Sequence, residues 1–192
     1  ALTRMGGGII GRKKFVEGAI PNLNFKDVAG MDENREELVD IVAFLKNNQL
    51  YERIGARMPH GVLFRGGAEK EIRKKFLEQD LIEAVISLPQ NLFYGASIPA
   101  CILIMRSNLT GQTLNPNKPD PRRGRVLFIN ADAEYLAGRA QNYLRPEDIE
   151  KIASTFARYS EVESYSKVVT FDEIANPAND FSINVTRYTE YS

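Results

Sequence analysis

The feature that most constrains the fold is a pair of short apolar runs, residues 81–88 and 99–105, separated by a loop of small and polar residues. Each run is far shorter than the roughly 20 apolar residues that a membrane-spanning helix needs. Continuous apolar runs of this length are typical of strands buried on both faces of a sheet. The stretch therefore predicts a strand, an ordered loop and a second strand.

Two aromatic residues in the connecting loop, Phe93 and Tyr94, allow two interpretations. Beside Gly95 and Pro99 they could bring a planar ligand to the edge of the sheet. The same rings could instead fill the core beneath the loop. The local sequence is compatible with both interpretations.

Longer strings around this stretch point to a family. PHGVLFRGGAEK and the helical EIRKKFLEQ precede it, and GRVLFINADAEYLAGRAQNYLRPEDIEKI and SKVVTFDEIANPANDFSINVTRYTE follow it. In order and spacing these strings resemble the modification subunit of type I restriction-modification systems, a DNA adenine-N6 methyltransferase. The resemblance covers residues 59–190. It implies an α/β fold, a partial methyltransferase-like (Rossmann-like) sheet with flanking helices.

The resemblance also implies which residues lie near DNA. It places the loop 89–98 near the pocket for the target base, with Asn91, Phe93 and Tyr94 as its most exposed side chains. The string GRAQN resembles a Gly-Arg-x-Gln-Asn string of the family, so Arg139 and Asn142 are also expected in the vicinity of DNA. The partners implied are DNA and a specificity subunit.

The arginines leave alternatives open. Arg139 and Arg145 could contact phosphate groups, or could form surface salt bridges with Glu134 or Glu147. The basic string RRGR at residues 122–125 could touch DNA phosphates or could be a solvated loop.

Adenine methylation needs two loops that are not found in this sequence. One is a glycine-rich loop after the first strand, which lets S-adenosylmethionine approach the backbone. The other is an [Asn/Asp]-Pro-Pro-aromatic loop, which holds the amino group of a flipped-out adenine. Asn115-Pro116 and Asn176-Pro177 lack the second proline and the aromatic residue, and both are typical of turns. The S-adenosylmethionine site is therefore expected to be incomplete, no catalytic residue is assigned, and the chain is expected to be catalytically silent.

The first third of the chain has a different resemblance. FKDVAGMDENREELVDIVAFLKN and YERIGARMPHGVL resemble the start of the AAA+ module of membrane-anchored ATP-dependent zinc metalloproteases. In that family the residues matching Asp27, Val28, Ala29 and Gly30 lie against the adenine of ATP. The simplest interpretation is a fusion, with a flexible linker at 1–24, a small helical appendage at 25–58 and a methyltransferase-like part at 59–192.

The resemblance to the AAA+ module stops before its phosphate-binding loop. A P-loop needs a lysine followed by a Ser or Thr hydroxyl for magnesium, but Lys70 is followed by Glu71. No His-Glu-x-x-His string is present to bind zinc. ATP hydrolysis and proteolysis are therefore not expected, and only a weak contact of residues 27–30 with an adenine nucleotide stays open. A protease fragment and a non-catalytic interaction module remain the alternative functions.

Composition adds little about partners. Lys plus Arg equals Asp plus Glu at 25 each, so no net positive charge indicates nucleic acid. A single cysteine, Cys101, and a single histidine argue against a zinc site, and no metal is predicted. No apolar run reaches the length of a membrane span, which makes the cytoplasm the expected compartment. Self-association stays open, because the appendage has an apolar helix face without a predicted partner.

The remaining pattern predicts most of the secondary structure. Strands 81–88, 99–105 and Arg125–Asn130 should form one sheet, with Cys101, Ile102 and Leu103 buried. The other expected elements are a short strand at 61–64, helices at 70–79 and 147–158, a short helix from Asp132, an edge strand at 167–171, a helical turn at 172–175 and an extended or frayed end.

Overall fold

The computed structural model describes residues 58–59, 63–92, 99–106, 108 and 110–190. The predicted linker, the predicted AAA+-like helix and the nucleotide-contact residues Asp27, Val28, Ala29 and Gly30 lie outside them. The elements in chain order are β1 (Met58–Pro59), α1 (Ala68–Glu78), β2 (Ile82–Ser87), β3 (Ala100–Met105), a 3-10 turn (Asp120–Arg122), β4 (Arg125–Asn130), α2 (Pro146–Arg158), β5 (Ser166–Thr170), α3 (Phe171–Ala175) and α4 (Thr186–Thr189).

The strands form one sheet in the order β1-β3-β2-β4-β5. β2 and β4 run parallel, with Ser87 opposite Asn130 at their carboxyl ends, whereas the other neighbouring strands are antiparallel. β2 is buried along its whole length, as its continuous apolar run predicts. The prediction that the three apolar runs share one sheet is confirmed, and β5 lies at the edge as expected.

Helices and the C-terminal residues cover the two faces of this sheet. Side chains alternate between faces along a strand, so Ile86 and Ile129 pack with α2 on one side. On the other side, Val85 and Phe128 pack with α1 and the C-terminal residues. The ring of Phe128 stacks on that of Tyr188, with centroids 4.4 Å apart. The result is an α/β fold with a core on each side of the sheet.

Local sequence explains the boundaries of α2. Pro146 occupies its first position, where a missing amide hydrogen costs nothing. The carboxylate of Asp148 accepts the backbone N–H of Arg145 at 2.8 Å and so satisfies a donor that precedes the helix. Tyr159 ends the helix in a left-handed conformation, with φ 50°.

Burial along β3 is less complete than predicted. Cys101 is buried, but Ile102 and Leu103 are only half-buried. The described residues of the outer neighbour β1 pair with Ala100 and Cys101. The rest of β3 therefore has no outer neighbour among the described strands. Burial raises the pKa of the Cys101 thiol to about 12.

Three other expectations are wrong. Leu63 and Phe64 lie in a tight turn rather than a strand. The residues after Asp132 form turns and an isolated bridge between Leu136 and Tyr143 instead of a helix. Residues 181–190 are not frayed, since they include α4 and bury apolar side chains that cover the sheet, namely Ile183, Val185 and Tyr188. Within the described ranges, no helix has the length and apolar character needed to cross a membrane.

Candidate functional site

The carboxyl ends of the parallel strands β2 and β4 meet at one edge of the sheet. In open α/β sheets, ligands bind in the crevice outside such strand ends. The Ser87 hydroxyl donates to the side-chain oxygen Oδ1 of Asn130 at 3.3 Å, and the backbone N–H of Asp132 donates to the same oxygen at 3.1 Å. These contacts join the starts of two loops, the β2 loop (residues 88–92) and the β4 loop (residues 131–145).

The β2 loop has buried ends and an exposed middle. Leu88 and Leu92 are buried, with at most 1% of their surface exposed, whereas Gln90 and Asn91 face solvent. Asn91 adopts a left-handed conformation with φ 55°, which asparagine tolerates better than most residues. The exposure predicted for Asn91 is therefore observed. Phe93 and Tyr94, predicted beside it, lie outside the described residues.

The β4 loop folds back on itself near its middle. Leu136 and Tyr143 exchange two backbone hydrogen bonds of 2.8 and 2.9 Å. The turn between them needs a glycine at position 138, because a Cβ there would lie 2.3 Å from the carbonyl oxygen of Gln141 and 2.4 Å from the ring of Tyr143. Arg139 is exposed at this turn. The turn explains why the expected helix does not form.

Asn142 joins the two loops. Its backbone N–H donates to the carbonyl oxygen of Asn91 at 2.8 Å, and its side-chain Nδ2 donates to the carbonyl oxygen of Gln90 at 2.8 Å. The structure thus brings together two of the predicted site residues, Asn91 and Asn142. It also adds Gln90, Ser87 and Asn130, which no motif in the sequence singled out. The sequence signal for Ser87 and Asn130 is their position at the ends of predicted strands, and that for Gln90 is its place in the loop 89–98.

Exposed apolar side chains lie on the same β4 loop. Leu136 and Tyr143 are 56% and 50% exposed, and Tyr135 is 37% exposed. Arg139 is exposed on the same loop, so this loop carries two exposed aromatic rings and an exposed guanidinium group. Aromatic rings and guanidinium groups are the side chains on which nucleic-acid bases stack.

Arg145 forms ion pairs, as one of the two sequence interpretations expected, but its main partner differs. Its Nε and Nη2 atoms lie 2.9 and 2.8 Å from the carboxylate of Asp148, and Glu147 is 3.4 Å away. Glu134 pairs instead with Lys151. The hydrogen bond with Asp148 raises the pKa of Arg145. Burial pushes the pKa of Asp148 upward, but the hydrogen bonds and charge of Arg145 outweigh it and lower that pKa.

The first residue of the basic string 122–125 fits neither of the two interpretations. Its burial keeps it away from DNA phosphates and out of a solvated loop. Arg122 is 5% exposed and lies at the amino end of the strands, at the opposite edge of the sheet. Its Nη1 is 2.7 Å from Oε1 of Glu83, and its Nη2 donates to the carbonyl of Ala157 at 2.9 Å. Its guanidinium also lies over the rings of Phe156 and Tyr159. Arg122 is therefore part of the core, whereas Arg123 is half-buried and Arg125 is exposed.

A second buried ion pair adjoins Arg122. Lys118 is 1% exposed, and its Nζ lies 2.5 Å from Asp80 and donates to the carbonyl of Arg125. Burial lowers the pKa of Lys118, while the hydrogen bond and charge of Asp80 act in the opposite direction. Asn115, from the first Asn-Pro dipeptide, is part of this network through the carboxylate of Asp80.

Both Asn-Pro dipeptides form turns, as predicted. The Oδ1 atom of Asn115 accepts the N–H of Asn117, and that of Asn176 accepts the N–H of Ala178, each at 2.9 Å. These are Asx turns, in which the side chain bonds the backbone two residues later. An asparagine engaged in this way does not present its carbonyl oxygen to an adenine amino group.

The described loops do not fit a bound S-adenosylmethionine. A cofactor loop needs glycine amides that a ligand can approach closely. The only glycine in the β2 and β4 loops is Gly138, and its space is filled by Gln141 and Tyr143. Across the described ranges, no three His, Cys, Asp or Glu side chains are grouped to hold a metal ion. No methyl-transfer step is therefore derived from these residues.

Comparison with known proteins gives the family context. A profile of the N-6 DNA methylase family matches residues 13–192. The methylase subunit of the type I restriction enzyme MjaVIII from Methanocaldococcus jannaschii is 43% identical over 147 residues, which cover 75% of this chain and 24% of that protein. The crystal structure of a type I restriction-modification methyltransferase subunit from Streptococcus thermophilus superposes with a TM-score of 0.59 at 35% identity, over 70% of this chain and 26% of that one. The chain thus spans about a quarter of the length of these relatives.

A separate likeness concerns a shorter segment. The ATP-dependent zinc metalloprotease FtsH of Helicobacter pylori is 48% identical over 65 residues, 32% of this chain and 10% of that protein. Only residues 1–12 precede the methylase match, so the two matched segments must share residues.

Proposed function

This chain belongs to the N-6 DNA methylase family, and on that premise we propose that it supplies the C-terminal part of the catalytic domain of a type I DNA adenine-N6 methyltransferase. Its part in the reaction is to help receive the flipped-out adenine at the carboxyl edge of β2 and β4. The observation that supports this most directly is the joining of the β2 and β4 loops by Asn142 at that edge.

The proposed chemistry is recognition rather than methyl transfer. An extrahelical adenine needs a flat surface on which to stack and polar groups near its edge. The β2 loop offers the exposed amide of Asn91, and Phe93 and Tyr94 follow in the sequence as stacking candidates. Arg139 is proposed to lie near the DNA backbone, where a cation favours phosphate. The S-adenosylmethionine site is proposed to be incomplete in this chain, and no ATP hydrolysis is proposed.

The proposed partners follow from the family. They are DNA and a specificity subunit, and the proposed compartment is the cytoplasm, where such a DNA substrate lies. The proposed domain division keeps a linker at 1–24, an AAA+-like helical segment at 25–58 and the methylase part at 59–192. The likeness to FtsH supports the middle segment, and the pairing of Met58–Pro59 with β3 supports the start of the methylase part. Nucleotide contact by Asp27, Val28, Ala29 and Gly30 remains a minor proposal.

A binding measurement tests the proposed function. Fluorescence anisotropy would compare a DNA duplex containing one unpaired adenine with the same duplex containing an abasic site. We expect tighter binding to the adenine duplex, by roughly ten-fold, since stacking of one base is worth roughly 1–3 kcal/mol. Phe93→Leu or Tyr94→Leu should remove this preference.

The control is Leu114→Ala, which shortens an exposed apolar side chain far from the β2 and β4 loops. Its neighbour Asn115 donates its backbone N–H to the carboxylate of Asp80, at the opposite edge of the sheet. It should leave the preference unchanged. Equal affinity of the unmodified chain for the two duplexes would refute the proposed function.

A further inference from the structure

The middle of the β2 loop depends on the β4 loop for its hydrogen bonds. At its start, Leu88 is fixed to the sheet by its backbone N–H, which donates to the carbonyl of Ala100 at 3.0 Å. The carbonyl oxygens of Gln90 and Asn91 are instead satisfied by a single residue, Asn142. The left-handed conformation of Asn91 turns the chain at this point. The direction in which the loop leaves the sheet is thus tied to the position of Asn142.

Asn142 is itself held in place. It directly precedes Tyr143, whose two backbone hydrogen bonds with Leu136 close the turn in the β4 loop. The absence of a side chain at Gly138 permits the close approach of Gln141 and Tyr143 that this turn needs. Asn142 therefore presents its backbone N–H and its Nδ2 as a fixed pair of donors.

From this geometry we infer that Asn142 is a positioning residue for the β2 loop. It sets the conformation of the loop at Gln90 and Asn91, and it acts on the base only through that loop. This inference rests on the proposed function, in which the loop faces an extrahelical adenine. It revises the expectation from the sequence that Asn142 itself lies against DNA, because its side-chain amide already donates to the backbone of the loop.

The energetics separate positioning from general stabilisation. A hydrogen bond to an exposed carbonyl contributes little to folding, since water replaces it when it is lost. The orientation of groups around a ligand, by contrast, is sensitive to displacements of about 1 Å. Loss of the Asn142 side chain should therefore leave global stability nearly unchanged while it alters the loop and its recognition of a base.

The experiment uses the full 192-residue chain with Asn142→Ala and Asn142→Asp. The aspartate keeps the shape but places an acceptor opposite the carbonyl of Gln90. The matched control is Asn179→Ala, because Asn179 donates from the same Nδ2 atom to a backbone carbonyl, that of Glu173, at the same distance of 2.8 Å. Amide hydrogen exchange is followed at residue 142, whose N–H binds the loop, and at Leu88, whose N–H binds the sheet.

We expect both Asn142 variants to exchange the amide of residue 142 at least ten-fold faster, with Leu88 unchanged. They should also lose the preference for the adenine duplex over the abasic duplex, which a merely structural residue would not alter. Asn179→Ala should change neither measurement.

Wild-type exchange at residue 142 in both variants would overturn the inference, and so would a wild-type adenine preference in both. If the unmodified chain shows no adenine preference at all, the proposed function fails. The exchange at residue 142 then decides alone whether Asn142 positions the loop.

Discussion

Arg122 places its Nη1 atom 2.7 Å from Oε1 of Glu83, and Glu83 is fully buried near the amino end of the central strand β2. Arg106 binds the other carboxylate oxygen at 2.5 Å. A buried carboxylate is tolerated when it is paired and hydrogen-bonded. The two arginines thus allow an acidic residue to occupy β2, a strand in which Ser87 is the other polar residue.

Removal of Arg122 should destabilise the fold strongly. Arg122→Met leaves Glu83 with one cationic partner and also removes the hydrogen bond to Ala157, and we expect a loss of roughly 3–5 kcal/mol in the free energy of unfolding. Urea unfolding followed by circular dichroism measures it. Arg139→Met is the control, since Arg139 is exposed, and it should change stability by no more than about 0.5 kcal/mol. A loss below about 1 kcal/mol for Arg122→Met would contradict the buried ion pair.

Stability should fall in alkaline solution because of Cys101. Its pKa is raised by burial from 9.0 to about 12 in the folded chain. Above pH 9 the unfolded chain releases this proton while the folded chain retains it, so the stabilising contribution is present below pH 9 and is lost as pH rises toward 12. Urea midpoints between pH 8 and 11 should decline, and Cys101→Ala should make the decline shallower. Equal slopes for the two proteins would contradict the burial of the thiol.

The same burial predicts low thiol reactivity. The thiolate is the nucleophile in disulfide exchange, so Cys101 should react with an aromatic disulfide reagent at pH 8 far more slowly in the folded chain than in urea. A similar rate with and without urea would show that the thiol is accessible.

Gly138→Ala should disturb the turn of the β4 loop. The added methyl group would lie 2.3 Å from the backbone carbonyl of Gln141, which cannot move as a flexible side chain can. We expect faster exchange of the amides of Leu136 and Tyr143 and a loss of roughly 1–3 kcal/mol. Gly66→Ala is the matched control, because a Cβ at that position meets nothing within 4 Å. Unchanged exchange at Leu136 would refute the close approach.

The chain is expected to transfer no methyl group. A rate depends on holding the cofactor and the adenine nitrogen in line, and the described loops offer no site for the cofactor. Incubation with tritiated S-adenosylmethionine and mixed-sequence duplex DNA should give no label in the DNA. Incorporation above that of a heat-denatured control would show that a complete cofactor site is present.

Much of the strand pattern could be predicted from local sequence. The apolar runs at β2, β3 and β4 appear where expected because a strand buried on both faces requires continuous apolar side chains. The helix that begins at Pro146 was also predicted from local sequence. A proline lacks the backbone N–H that a helix interior needs, so it marks the first turn of a helix. Among the site residues, Asn91 and Asn142 were named through the family resemblance. Phe93 and Tyr94 remain predictions, as do the nucleotide contacts proposed for residues 27–30.

What the sequence by itself determined is the identity of the strands and the loops that follow them, because hydrophobic burial and turn formation depend on neighbouring residues. Only the tertiary structure decided which distant groups meet. Arg122 is buried because Glu83 lies 39 residues earlier in the chain but 2.7 Å away in space. Asn142 contacts the β2 loop because the parallel pairing of β2 and β4 brings their carboxyl ends together. Such contacts depend on the order of strands in the sheet, and no local pattern of residues contains that information.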